Sequence, residues 1–101
     1  MGFKETKKLV IKCIKDGAYS HEVRRRIDVK NVFQTGQISD EELIELIKST
    51  NGNQYETSKH HIVNNIDIHI LKPIKDSKKW YIKFYFLDPN TVFISVHESE
   101  F

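Results

Sequence analysis

The chain has a single cysteine, two prolines, four glycines and one tryptophan. With Cys13 alone, an internal disulfide and a cysteine-based zinc cluster are both excluded. No stretch approaches the roughly 20 apolar residues that a membrane-spanning helix needs. Residues 1–5 contain no apolar segment of signal-peptide type, and Lys7 stands where an N-myristoylation pattern wants Ser or Thr. Glycine-rich phosphate loops are missing, and no serine sits in a nucleophile-elbow context. Histidines are present, but no HxH or HExxH spacing supports a metal site. These absences lead us to expect a cytoplasmic protein with no membrane partner, no metal and no cofactor.

What remains is a chain of 101 residues, 39% hydrophobic and 30% charged, read as one domain spanning residues 1–101. Its net charge of +2 hides a segregation of sign. Residues 1–30 hold nine Lys/Arg against four Asp/Glu, and residues 31–58 hold one against five. A basic N-terminal third serves either solubility or a polyanionic partner.

Residues 4–16 read as a helix with Leu9, Val10, Cys13 and Ile14 on one face and Gly17 as its stop. Cys13 on that stripe behaves as a small buried hydrophobe. Ser20 reads as the N-cap of a second helix over residues 21–27, with Val23 and Ile27 inward. Arg24, Arg25 and Arg26 fan around its outside, as a solvated face or as fork-shaped donors for phosphate. Ser39 with Glu42 is a capping-box signature for a third helix, whose buried stripe is Leu43, Ile44, Leu46 and Ile47 and whose end is Asn51-Gly52-Asn53. From residue 54 onward the pattern is strand-like. Residues 54–63 pair through an Asn64-Asn65 turn with residues 66–71; residues 79–86 and 91–97 follow, with turns at Asp76-Ser77-Lys78 and Leu87-Asp88-Pro89-Asn90. The expected fold is α+β: three N-terminal helices packed on a C-terminal four-stranded, mostly antiparallel sheet.

Alternation along these strands assigns their faces. Ile66, Ile68, Ile70, Trp80, Ile82, Phe84, Phe86, Val92, Ile94 and Val96 are expected beneath the helices. Asp67, His69, Tyr81, Lys83, Tyr85, Ser95 and His97 are expected together on an open face. Such a face offers what metal-independent RNA cleavage requires: a base for the ribose 2′-hydroxyl, an acid for the departing 5′-oxygen, and cations for the charged transition state. His97 and His69 form the acid/base pair of this reading, because histidine titrates near neutrality. Lys83 and the arginines hold phosphate, Tyr81 donates to it or acts as acid, and Tyr85 and Phe93 stack on bases. Lys59, His60 and His61 lie one hairpin away and are candidates for the same site. Each residue also has an ordinary role. Tyr81, Lys83 and Tyr85 suit any solvated sheet face, and exposed histidines commonly do no chemistry.

The chain also carries a resemblance. Lys7-Lys8-Leu9-Val10 opens the first helix, Gln54-Tyr55 begins the sheet region, and Trp80-Tyr81-Ile82-Lys83 and Phe93-Ile94-Ser95-Val96-His97 form the last two strands. In these stretches and in the order of its elements, most of the chain resembles the MqsR-like messenger-RNA interferase toxins of bacterial toxin–antitoxin pairs, within the wider RelE and barnase-like ribonuclease fold. The resemblance implies degradation of messenger RNA, free or on the ribosome, and neutralisation by a cognate antitoxin protein. It implies that Tyr81 is the catalytic tyrosine of a YxK strand. His97 stands where the MqsR type has a C-terminal lysine and where several RelE-type toxins place an essential histidine or tyrosine. Glu56 departs from the pattern, occupying the place of a functional lysine, with Lys59 close by. The alternatives are a non-catalytic binding module, antitoxin-like or an adaptor, that docks through the open sheet face, and nucleic-acid binding without cleavage.

Overall fold

The computed structural model describes residues 2–22, 31–60 and 65–99. Helix α1 spans Phe3–Asp16 and buries Thr6, Val10, Cys13 and Ile14. Gly17 ends it at φ 70°, and the Ala18 N–H donates back to the Cys13 carbonyl at 2.8 Å. That left-handed closure is one only glycine adopts without strain. Helix α2 spans Asp40–Lys48 behind the expected capping box: Ser39 accepts from the Glu42 N–H, and the Glu42 carboxylate accepts from the Ser39 N–H. Its stripe of Leu43, Ile44, Leu46 and Ile47 is buried.

The chain after α1 forms a strand where a helix cap was expected. Strand β1, Tyr19–His21, runs parallel to the last strand, with Tyr19 opposite Thr91 and His21 opposite Phe93. Tyr19 and His21 point the same way and pack their rings on Phe33 and Phe93, while Ser20 between them is exposed. This period-two pattern buries two rings that a helix would splay apart. The remainder of the expected second helix, residues 23–27, lies outside the described residues.

Five more strands follow: β2 (Tyr55–Lys59), β3 (Asp67–Leu71), β4 (Ile74–Lys75), β5 (Lys78–Leu87) and β6 (Asn90–Glu98). The sheet order is β1-β6-β5-β3-β2, and β4 pairs only with the start of β5. The fold is therefore α+β. Among the described residues it has two α-helices and six strands, rather than three and four. The four expected strands are its antiparallel centre, and β1 and β4 are additions. The β4–β5 hairpin turns through Asp76 and Ser77, both at positive φ (54° and 65°), the geometry that matches strand twist in a two-residue turn.

Helices α1 and α2 cover one face of the sheet. Beneath them lie Val10, Ile14, Leu43, Ile47, Leu71, Ile82, Phe84, Phe93 and Val96, with Trp80 and Phe86 at the margin. The other, outer face carries an apolar cluster of its own, made of Ile68, Ile70, Tyr85, Val92 and Ile94. Several expected placements are thus reversed. In β3, His69 and Leu71 face the helices opposite Phe84 and Ile82, which sends Ile68 and Ile70 outward; Ile66 joins them there. In β6 the register slips by one residue: Lys83 pairs with Ser95, but Phe84 pairs with Phe93, leaving Ile94 as the extra residue of a bulge. A bulge inverts the facing of everything beyond it. Val92 and Ile94 therefore leave the helix side, and Phe93 enters it.

Candidate functional site

On the C-terminal side of the β6 bulge the expected alternation holds, and it places two sequence-predicted residues side by side. Tyr81 on β5 and His97 on β6 are direct cross-strand partners on the outer face, their rings stacked at 5.3 Å with planes 24° apart. The His97 Nδ1 lies 2.8 Å from the Glu98 carbonyl oxygen. A carbonyl only accepts, so Nδ1 holds the proton in that bond, and Nε2 of the neutral ring presents a lone pair. The Tyr81 hydroxyl is pushed above its ordinary value by burial, with Lys72 opposing and Glu56 adding to the rise. It therefore keeps its proton at neutral pH and has that proton to donate.

Cations line the same end of the face. Lys83 is two residues along β5, opposite Ser95 on one side and Ile70 on the other. Lys72, just past β3, pairs with Glu56 of β2 at 2.8 Å, and this partner raises its pKa. Lys72 was missed in the sequence, although it continues the outward set Ile68, Ile70 by the same two-residue step.

The other candidates lie elsewhere. His69 is buried on the helix side of the sheet, across from His97, so the two do not form an acid/base pair. It is hydrogen-bonded to the Tyr55 hydroxyl at 2.8 Å and packed on Phe84 and Phe86, and its pKa is lowered by burial. Phe93 is 0% exposed in the helix-side core and Tyr85 is buried, so neither ring is open to a base. Lys59 and Asp67 are cross-strand partners that bond at 2.8 Å, four residues along β2 from the row of Tyr55. That hydrogen bond holds the Asp67 carboxyl below its ordinary range. Asp67 is thus placed away from His97. His60 sits over the far end of the outer face, where Glu22 accepts from the Tyr85 hydroxyl at 3.0 Å and lies 3.5 Å from His60 Nε2. The His60 ring meets that of Tyr85 edge-on at 5.0 Å. Nothing in the spacing of the sequence pointed to Glu22. Arg24, Arg25, Arg26 and His61 lie outside the described residues.

Next to His97, a cavity of about 770 Å³ opens between the 31–38 segment, the start of α2 and the ends of β5 and β6. Its lining includes Asn31, Gln37, Glu42, Trp80, His97 and Glu98. Among the described residues, no three His, Cys, Asp or Glu side chains are grouped to hold a metal ion, and no helix is long and apolar enough to cross a membrane. Comparison with known protein families, with curated proteins and with solved structures finds no match for the chain.

Proposed function

We propose that the protein is a metal-independent endoribonuclease of the messenger-RNA interferase type, a toxin held in check by a cognate antitoxin. The observation that carries this reading is the Tyr81–His97 stack, with its proton-accepting Nε2 beside a protonated phenol on a lysine-bearing face. In this mechanism His97 Nε2 takes the proton of a ribose 2′-hydroxyl as O2′ bonds to phosphorus. The P–O5′ bond breaks, and the Tyr81 hydroxyl protonates the leaving 5′-oxygen. The products are a 2′,3′-cyclic phosphate and a 5′-hydroxyl. Lys83 and Lys72 offset the charge that builds on the phosphate. The resemblance to the MqsR-like toxins supports the same assignment of Tyr81, whereas His97 stands where that type has a lysine and draws support only from the histidine or tyrosine that several RelE-type toxins place near their C-terminus. A second reading, a binding module that docks a protein on the outer face, draws on Glu56, whose carboxylate is unfavourable to phosphate.

The test is production of the protein alone in a bacterial host, followed by a cleavage time course on a messenger RNA in EDTA, with and without ribosomes. Wild type should arrest growth and cleave. His97→Gln, shown to be folded by circular dichroism, should lose about a hundred- to ten-thousand-fold in rate. Tyr81→Phe should lose less. Full activity in the His97 variant would move the chemistry elsewhere, His60 first. Loss of wild-type activity in EDTA would restore a metal mechanism. Absence of both arrest and cleavage would favour the binding module.

A further inference from the structure

The two rings expected to stack on bases, Tyr85 and Phe93, are buried, and the half-exposed Tyr81 ring of the outer face is already stacked on His97. A half-buried aromatic ring does occur nearby, in the cavity that His97 shares. Trp80 precedes Tyr81 and points to the opposite side of the sheet, where it lines the cavity wall. The cavity lies at the edge of β6. There the parallel bridge between Asn31 and Val96 is the last pairing on that side among the described residues. A strand of RNA with its phosphate beside His97 can therefore turn one base around this edge toward Trp80.

The walls indicate which group of the nucleotide fits. Glu42 and Glu98 bring carboxylates, which accept hydrogen bonds and repel phosphate. The Glu98 carboxylate is paired with Lys78 at 3.3 Å, but both side chains are half or more exposed, so the pair is weak and open to a competing donor. Gln37 adds an exposed amide with both donor and acceptor. Asn31 is committed to shaping the wall, through His21 Nδ1 at 2.9 Å and the Gln34 N–H at 3.0 Å. The volume of about 770 Å³ is within the range of small-molecule sites.

We infer that this cavity is a nucleobase subsite, in which Trp80 stacks on an unpaired base flanking the cleaved phosphate and Glu98 and Gln37 accept from its exocyclic amino group. Guanine, adenine and cytosine carry that group; uracil does not. The inference rests on the ribonuclease reading for its orientation toward His97, and its test is independent of catalysis. Trp80 is the chain's one tryptophan, so fluorescence excited selectively over the four tyrosines reports on the surroundings of this one ring. The probes are the 2′-O-methyl trinucleotides UGU, UAU, UCU and UUU, which have no free 2′-hydroxyl to attack.

At least one amino-bearing trinucleotide should quench Trp80 about tenfold more tightly than UUU. Glu98→Met, which keeps the side-chain length but has no oxygen acceptor, should remove most of that preference while leaving the quenching, and Gln37→Ala should weaken binding. Equal quenching by all four, or none by any, would overturn the subsite. If His97-dependent cleavage persists while no trinucleotide moves the Trp80 signal, the subsite falls and the ribonuclease reading stands. If base-selective quenching occurs without any RNA cleavage, the subsite stands and the ribonuclease reading falls.

Discussion

Four of the chain's five histidines lie among the described residues, and their environments decide what each does. His97 is half-exposed, with one ring nitrogen tied to a backbone carbonyl and the other presented. His60 is buried against Glu22 and Tyr85. His69 and His21 are packed among aromatic rings, and burial lowers both pKa values below the ordinary 6.5. The last two give the protein a pH-dependent stability. In the unfolded chain each takes up a proton near pH 6.5, whereas in the folded state it resists until lower pH. The unfolded state thus binds more protons between those values, and stability falls as pH drops. The contribution is complete above pH 6.5 and is lost progressively below it, by at most about 1.4 kcal/mol per pH unit per histidine. Urea midpoints measured from pH 7.5 down to 5 should decline. His69→Gln, whose amide oxygen still accepts from Tyr55, should flatten that decline.

At the scale of elements, the β6 bulge decides the most. Unbroken alternation through residues 91–97 would set Val92 and Ile94 against the helices and turn Phe93 out toward solvent. With Ile94 as the extra residue, Phe93 instead pairs with Phe84 and packs among Phe33, Tyr19 and His21, fully buried. The two registers differ in one measurable cost. Phe93→Ala should destabilise by about 3–5 kcal/mol, the range for a large aromatic removed from a packed core. An outward Phe93 would change stability by no more than about 0.5 kcal/mol. A urea or thermal unfolding curve distinguishes them. The bulge leaves the Tyr81–His97 pairing intact, because those residues lie on its C-terminal side, where the original alternation continues.

Across the described molecule, the sheet carries an apolar cluster on each side, and two groups of polar side chains stand toward the two ends of its outer face. Tyr81, Lys83, His97 and the Lys72–Glu56 pair hold one end; Glu22, His60 and Tyr85 hold the other. The basic N-terminal third bears on the proposed RNA site as a whole. If Arg24, Arg25 and Arg26 contact phosphates, replacing all three with Gln should weaken RNA binding. It should also flatten the salt dependence by about two units of log–log slope, at roughly 0.7 per contact to a single strand. Unchanged binding across a salt series would leave the arginines as a solvated surface. Much of this molecule was legible in the sequence. The α1 stop at Gly17, the α2 capping box and the four antiparallel strands follow from rules that act over a few residues. So does the shared facing of Tyr81 and Lys83, which needs only alternation within one strand; that His97 joins them depends on the pairing of β5 with β6. The position of His69, the exchange of Phe93 for Val92 and Ile94, the β1 strand and the meeting of Glu22 with His60 were decided by tertiary structure alone. In β3, residues 68–71 are apolar or aromatic at every position, so alternation offers two equivalent faces. Pairing Leu71 with Ile82 and His69 with Phe84 selects one of them. Alternation within a strand is local, but register between strands depends on how distant side chains pack, and a slip of one residue exchanges the two faces of a strand.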